Sequence, residues 1–211
     1  MNKIFFLGLV VGLILAMSSS VYAANLLTNG DFETGALGWF GDTAIPNWTT
    51  WGTDGWHHND FNHTPSGSKA VKTWGDGTGI YQDFTATGGT PYDFAGSSYS
   101  KSDDAAVGWN GILKVEWYSD AGFTKLGENV IGTFVGGTDP VSTWKDVSAT
   151  YAAPGSAILG RVVMNLTSTG PTHAGSIGWD DVSASPIPEP TSMLLLGSGL
   201  IGLFTVARRK K

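Results

Sequence analysis

The central part of the chain, residues 24–185, contains no long stretch in which apolar residues recur with the 3.6-residue period of a helix. Short runs rich in Val, Ile, Tyr, Phe, Trp and Thr alternate with clusters of Gly, Asp, Ser and Pro, which favour turns. This pattern is typical of an all-β sandwich or barrel, and about 160 residues is the size of one such domain. We therefore predict a single β domain for residues 24–185.

Six strands are clear from the pattern, and residue types alternate in two of them. Leu113, Val115 and Trp117 alternate with polar residues, which places these three in the core and the opposite face towards solvent or ligand. The run 157–166 alternates in the same way. The predicted strands are 69–74, 79–85, 112–119, 144–151, 157–166 and 177–184.

Composition excludes several classes of function. Without cysteine the chain has no disulfide, no thiol nucleophile and no Cys-ligated metal. Between residues 24 and 187 there are seven Lys or Arg and 17 Asp or Glu, a net charge of −10. Such a body would repel a phosphate backbone, so we expect no nucleic-acid partner.

Residues 1–23 have the pattern of a secretory signal peptide. Lys3 supplies the positive start, residues 4–17 are largely apolar, and Val21-Tyr22-Ala23 is a small-x-small cleavage site before Ala24. A buried core helix is the alternative. The order of these parts favours a signal helix that directs Sec export, with cleavage between Ala23 and Ala24.

The C-terminal segment, residues 186–211, has three parts. Pro188-Glu189-Pro190 precedes an apolar run at 193–207, predicted to be a hydrophobic membrane helix, and Arg208, Arg209, Lys210 and Lys211 follow. Fifteen helical residues rise about 22 Å, short of a hydrocarbon core of about 30 Å. The cations would hold the end in the cytoplasm and leave the body outside.

This order of Pro-Glu-Pro, short apolar segment and basic cluster resembles the PEP-CTERM sorting signal. The resemblance implies recognition by an exosortase in the inner membrane of a Gram-negative bacterium, transient anchoring there, and release to the cell surface or extracellular matrix. A generic membrane anchor is the alternative, although the short span makes it the weaker one.

Several phrases of the body resemble, in order, the carbohydrate-binding-module-like sandwiches of the galactose-binding-domain-like superfamily. The resemblance implies a single jelly-roll β-sandwich whose two ends meet, often around a structural calcium ion. It rests on residues 25–33 (NLLTNGDFE) with Gly38-Trp39, then 66–70, 80–84, 113–117, 143–144, 153–157 and the closing 179–183 (WDDVS).

A structural calcium site is expected near Glu33 and Asp180, where the resemblance puts the ion. Calcium prefers several oxygen ligands, and carbonyls of the loop 66–69 would complete its shell. Asp180 shares its strand side with Val182, so it points inward if Val182 is core and then needs a counter-charge. The alternative is that both carboxylates only accept turn or edge hydrogen bonds.

The segment His57-His58-Asn59-Asp60-Phe61-Asn62-His63 concentrates three of the four histidines. Imidazoles beside a carboxylate raise the possibility of a zinc site. The spacing matches no helical metal motif, and Gly, Asn, Thr and Pro surround it, so we favour an irregular solvated loop.

All nine tryptophans lie in the body. Trp48, Trp51 and Trp56 fall in a Gly/Asp/Thr-rich region and are expected to be exposed, where an indole can stack on a sugar ring. Packing in the β core is the alternative for each of them.

These patterns favour an exported, non-catalytic surface or matrix protein that binds or organises extracellular polysaccharide. A purely structural matrix protein is the alternative. An orphan glycoside hydrolase is less favoured, because no spacing identifies a carboxylate pair and no nucleophile elbow, P-loop or dinucleotide fingerprint occurs.

Overall fold

The computed structural model describes residues 23–42 and 44–188. Residues Ala24–Pro186 form one compact unit. The secondary structure of the described residues is almost entirely β, with one short 3₁₀ turn at Ser102–Asp104. The strands are β1 Gly38–Trp39, β2 Thr49–Trp51, β3 Gly55–His58, β4 Ala70–Thr73, β5 Gly79–Thr85, β6 Pro91–Tyr99, β7 Trp109–Tyr118, β8 Lys125–Val135, β9 Lys145–Ala152, β10 Leu159–Ser168 and β11 Ile177–Pro186.

The strands form two antiparallel sheets. The six-stranded sheet has the order β1-β3-β4-β11-β6-β9, and the five-stranded sheet has the order β2-β5-β10-β7-β8. From β4 onward the chain changes sheet at every connection except β7 to β8, as in a jelly roll. The predicted all-β sandwich is thus confirmed.

The inward faces of both sheets enclose an aromatic-rich core. Trp117, 1% exposed, lies among Phe84, Tyr92 and Phe94 with ring centroids 5.8–6.0 Å apart. Its indole N–H donates to Asn129 Oδ1 at 3.0 Å, which satisfies the polar end of the ring. The expected core positions Leu113, Val115 and Trp117 are all buried.

Every one of the six predicted strands corresponds to an observed strand, with ends that differ by a few residues. The pattern missed five strands: the short β1, β2 and β3, of two to four residues each, and the longer β6 and β8. Both β6 and β8 contain glycines where side chains of other strands approach. A Cβ at Gly96 would lie 2.7 Å from Leu113 Cδ2, and one at Gly132 would lie 2.5 Å from Val147 Cβ. Glycine lowers the strand signal, whereas the pairing partners that favour a strand come from distant sequence.

The two predicted terminal helices, the signal helix within 1–23 and the membrane helix 193–207, lie outside the described residues. Within 23–42 and 44–188, no helix has the length and hydropathy to cross a membrane. Ala23 and Ala24 begin the described part of the chain, and cleavage between them stays a prediction. Of the predicted sorting residues, Pro188 is described and exposed, and the others lie outside.

Candidate functional site

A groove of about 310 Å³ lies on the outer face of the five-stranded sheet. Its floor comes from β5, β10 and β7, and β2 borders it at one edge. The groove side chains alternate along these strands with buried residues such as Ile80, Val115 and Val162, so they point away from the core. The lining residues are Trp51, Tyr81, Lys114, Glu116, Arg161, Val163 and Asn165.

Trp51 and Tyr81 supply the aromatic surface of the groove. Their ring centroids are 6.0 Å apart and tilted by 42°. Trp51 pairs with Gly79 across β2 and β5, and a Cβ at position 79 would clash with Cζ2 and Cη2 of the indole. The indole can therefore lie close against the sheet because residue 79 has no side chain.

Arg161 is fixed beside this aromatic pair. Its guanidinium lies 3.8 Å from the Tyr81 ring centroid and 4.5 Å from that of Phe123. Two N–H groups of Arg161 donate to the carboxylate of Asp83 at 2.6 and 3.0 Å. A guanidinium held by stacking and by a bidentate pair presents its remaining donors in a defined direction.

Glu116 anchors a network of charges along β7 and β8. Burial by itself would raise the pKa of Glu116, but hydrogen bonds from Lys114, Tyr118 and Lys125 outweigh it and lower the pKa to about 2. The Tyr118 hydroxyl donates to Glu116 Oε2 at 2.6 Å, and burial together with this bond raises the pKa of Tyr118 to about 12. The groove thus holds an ionised carboxylate with fixed cationic neighbours.

Asn165 lines the groove with its side-chain oxygen unpartnered. Its Oδ1 is buried and has no hydrogen-bond partner among the described residues. Its Nδ2 donates only a long bond of 3.4 Å to the Leu166 carbonyl. A buried acceptor without a donor is costly, and a ligand hydroxyl in the groove would satisfy this oxygen only after the Asn165 side chain rotates to expose it.

The three tryptophans that were expected to be exposed have different environments. Trp51 lines the groove, and Trp56 lies half-buried on the outer face of the other sheet. The expectation is wrong for Trp48, which is 6% exposed and packs against Phe32 at 5.1 Å. Its indole N–H donates to the Asn29 carbonyl at 2.9 Å, so a turn-rich sequence here folds over the core.

Glu33 and Asp180 hold the two ends of one loop. Asp180 is fully buried and accepts bonds from His63 N at 2.6 Å and Thr64 N at 3.1 Å. The expectation that it shares an inward side with Val182 is wrong, because a β-bulge at Asp181 (φ 49°) interrupts the alternation between them. Glu33 Oε1 accepts bonds from Ser68 N and Lys69 N at 2.8 and 2.9 Å. These hydrogen bonds match the alternative to a calcium site, in which both carboxylates only accept turn or edge hydrogen bonds.

The fit of calcium to this loop is partial. Burial raises the pKa of Asp180 to about 6, although the backbone N–H groups that donate to its carboxylate act to lower the pKa. Glu33 Oε2 retains acceptor capacity, because its one partner among the described residues is the Ser68 hydroxyl at 3.4 Å. Glu33 contacts the loop 66–69 from which carbonyls are expected, whereas Asp180 contacts His63 and Thr64 just before it, and calcium binding there stays a proposal.

The expectation of an irregular loop is wrong for His57 and His58, which belong to β3 and are fully buried. The His57 ring nitrogens lie 2.8 and 2.7 Å from the carbonyl oxygens of Ala36 and Phe32. His58 Nδ1 accepts the Asp60 N–H at 3.0 Å. Within 23–42 and 44–188, no three His, Asp or Glu side chains are grouped to hold a metal.

Sequence reasoning missed most of the groove. It singled out Trp51 but gave no role to Tyr81, Arg161 or Asn165. The signal that was present is alternation, because it had already placed the polar side chains of β7 and β10 on a face away from the core. What it lacked was the register that pairs Arg161 with Glu116 and with Asp83.

The fold is that of known carbohydrate-binding modules. The described sandwich is similar to "Family 16 Carbohydrate Binding Module-2", with a TM-score of 0.53 at 16% identity over 76% of this chain and 99% of that one. It is also similar to a xylan-binding domain from CBM 22, with a TM-score of 0.50 at 14% identity over 72% and 94% of the two chains. At such identities the similarity shows the fold alone.

A third similar structure belongs to a larger protein, the enzymatically active domain of tailspike protein 4 from bacteriophage CBA120. The TM-score is 0.53 at 18% identity over 77% of this chain, which spans 21% of the tailspike chain. No curated protein matches the sequence significantly.

Residues 186–211 match the PEP-CTERM protein-sorting motif. The chain therefore combines a sandwich with the fold of carbohydrate-binding modules and a C-terminal sorting signal of exported proteins.

Proposed function

We propose that this is an exported, non-catalytic protein that binds neutral extracellular polysaccharide in the groove of the five-stranded sheet. An exosortase would process its C-terminal signal after transient anchoring in the inner membrane of a Gram-negative cell. The observation that carries the proposal is the groove itself, in which Trp51 and Tyr81 lie beside Arg161, Glu116 and Asn165.

The chemistry of the groove matches that of a sugar chain. A pyranose ring has an apolar C–H face that packs on an aromatic ring, and a rim of hydroxyl groups that donate and accept hydrogen bonds. The groove presents two rings, an ionised carboxylate, two cationic side chains and the amide side chain of Asn165. Such a mixture of aromatic surface and a few fixed polar groups is typical of small-molecule sites.

Charge favours a neutral polymer. The body carries a net charge of −10, and the two cations of the groove are already paired, Arg161 with Asp83 and Lys114 with Glu116 and Glu128. An anionic polysaccharide would therefore be repelled over most of the surface.

The groove does not have the groups that glycoside hydrolysis requires. Most glycosidases use two carboxyl groups, one of which must be protonated to act as an acid. Among the described groove residues one, Glu116, carries a carboxylate, and its pKa is lowered to about 2. This supports a binding role over the hydrolase alternative.

Binding can be tested on residues 24–186, which contain both sheets and the core between them. We expect this protein to bind at least one of the neutral polymers xylan, hydroxyethylcellulose, galactomannan and dextran in affinity electrophoresis, and Trp51→Ala to weaken that binding about tenfold, or 1.4 kcal/mol. Trp144→Ala, which changes a half-buried tryptophan beside the other sheet, is the matched control. No retardation by any polymer, together with a blank glycan array, would favour the purely structural alternative.

A further inference from the structure

A second aromatic surface lies on the outer face of the six-stranded sheet. Trp39 and Trp56 are cross-strand partners whose rings stack with centroids 5.5 Å apart at an interplanar angle of 7°. Trp74 meets Trp39 edge-on at 5.4 Å. The three rings border a pocket of about 270 Å³, and we call them the Trp39 patch.

The Trp39 patch is open, whereas the neighbouring part of this sheet face around Gly178 is covered. Trp39 is 51% exposed. Nearer the middle of the sheet, Phe61 lies directly on Gly178, where a Cβ would clash with its ring, and it packs against Tyr99 at 4.6 Å. A large exposed aromatic surface beside a covered one marks an interaction site more often than an isolated apolar residue does.

Polar groups border the patch without adding a free positive charge. The Lys72 ammonium lies 5.3 Å from the Trp56 ring centroid and 5.8 Å from that of Trp74. The same ammonium is 3.8 Å from Asp60 Oδ2 and 3.7 Å from Asp104 Oδ2. Two carboxylates outnumber one cation, so an anion would be disfavoured and hydroxyl groups would find both donors and acceptors.

These features favour a neutral sugar ring as the occupant. The exposed indole of Trp39 offers a flat apolar surface, and Lys72 and Asp104 lie within the same pocket. A volume of 270 Å³ is below the usual range for drug-sized ligands, which suits one or two rings of a chain.

The groove and the Trp39 patch lie on the outer faces of different sheets. Since the two sheets pack with their inner faces together, the outer faces point in opposite directions. A single polysaccharide segment lying across one face cannot reach the other. We propose that the Trp39 patch is a second site for neutral polysaccharide, and that one molecule thereby cross-links two chains.

This inference rests on the proposed binding in the groove and extends it from attachment to cross-linking. Two weak sites on one rigid body produce a network only when both are occupied, and then with an avidity well above either affinity. An exported protein with such a geometry would organise a matrix rather than merely adhere to it.

Cross-linking can be tested with residues 24–186 and the four neutral polymers named above. We expect turbidity and particle size by light scattering to rise as protein is added to the polymer, and to fall again in protein excess. Trp39→Ala and Trp51→Ala should each retain binding of the polymer but lose the turbidity maximum. The double variant should lose binding, and Trp144→Ala should behave as wild type; circular dichroism checks that each variant is folded.

The outcomes separate this inference from the proposed function. If Trp51→Ala weakens binding and Trp39→Ala forms the same turbid complexes as wild type, the second site is refuted and the groove stands. If Trp39→Ala abolishes binding and Trp51→Ala is unchanged, the groove is refuted, and cross-linking with it. If wild type binds none of the polymers, both proposals are contradicted.

Discussion

The contact between Trp51 and Gly79 gives the sharpest test of how the groove is built. Gly79 is buried in β5 beneath the Trp51 indole, and β10 lies on its other side, with Asn165 opposite Gly79. In Gly79→Ala the new Cβ would clash with the indole and lie 2.6 Å from the Met164 carbonyl oxygen. The indole must move off the sheet, so both stability and the shape of the groove should change.

The size of the effect follows from these two contacts. The indole is half-buried and can rotate, but the Met164 carbonyl belongs to a central strand and must retreat by about 0.8 Å to reach an ordinary contact of 3.4 Å. Overpacking of this kind typically costs about 1–3 kcal/mol. We expect Gly79→Ala to lower the free energy of unfolding by about 2 kcal/mol, a fall in melting temperature of roughly 4–8 °C.

The matched control is Gly127→Ala on β8 of the same sheet. A Cβ at Gly127 would have no atom within 4 Å, so its cost should be within about 0.5 kcal/mol of zero. Urea unfolding of residues 24–186 measures both variants. In a Trp51→Ala background the Met164 contact remains and only the contribution of the indole is lost, so Gly79→Ala should cost about 0.5 kcal/mol less than in wild type. If Gly79→Ala lowers the free energy of unfolding equally in wild type and in Trp51→Ala, the proposed contact with the indole is refuted. If Gly79→Ala is as stable as Gly127→Ala, overpacking at position 79 is refuted.

Three further predictions concern other parts of the molecule. Burial, with a contribution from Lys72, lowers the pKa of His58 to about 4, so between about pH 6.5 and 4 the unfolded chain binds a proton that the folded chain does not. Stability should therefore fall as the pH drops through this window, by about 3 kcal/mol more in wild type than in His58→Gln when unfolding is measured at pH 7 and pH 4. The raised pKa of Asp180 acts in the opposite direction in both proteins and cancels in the comparison. Calcium at Glu33 should raise the melting temperature over that in chelator, and Glu33→Gln should abolish the rise; identical melting in both buffers would remove the calcium proposal. Replacing Pro188-Glu189-Pro190 by alanines should leave the full-length protein in the membrane fraction of cells that possess an exosortase, whereas unchanged release would contradict exosortase processing.

The strands that could be predicted share one property, which is a residue pattern that can be recognised from neighbouring positions alone. Lys114 and Glu116 alternate with Leu113, Val115 and Trp117, and this alone separates an inner from an outer face. Tertiary context overrode local signals elsewhere. Trp48 follows a turn yet closes over Phe32, and His58 in a polar run is buried in β3, where its Nδ1 accepts the Asp60 N–H.

The candidate site likewise combines a residue that local sequence identifies with residues that only strand pairing brings together. Trp51 was identified because aromatic residues in a turn-rich region are suited to binding. Arg161 is 110 positions further along the chain, and only pairing of β10 with β5 and β7 brings it to Tyr81 and Asp83. The Trp39 patch likewise exists because β1 pairs with β3 and places the indoles of Trp39 and Trp56 face to face.

The sequence by itself determined that this protein has an all-β body between two short terminal segments, and that the last of these is a sorting signal. Composition, period-two alternation and an ordered terminal motif are properties of neighbouring residues, and they can be read without knowing the fold. Only the tertiary structure decided which aromatic side chains are buried and which two faces carry accessible ones. Strand order and register are set by packing between residues far apart in the chain, and that information is absent from any local window.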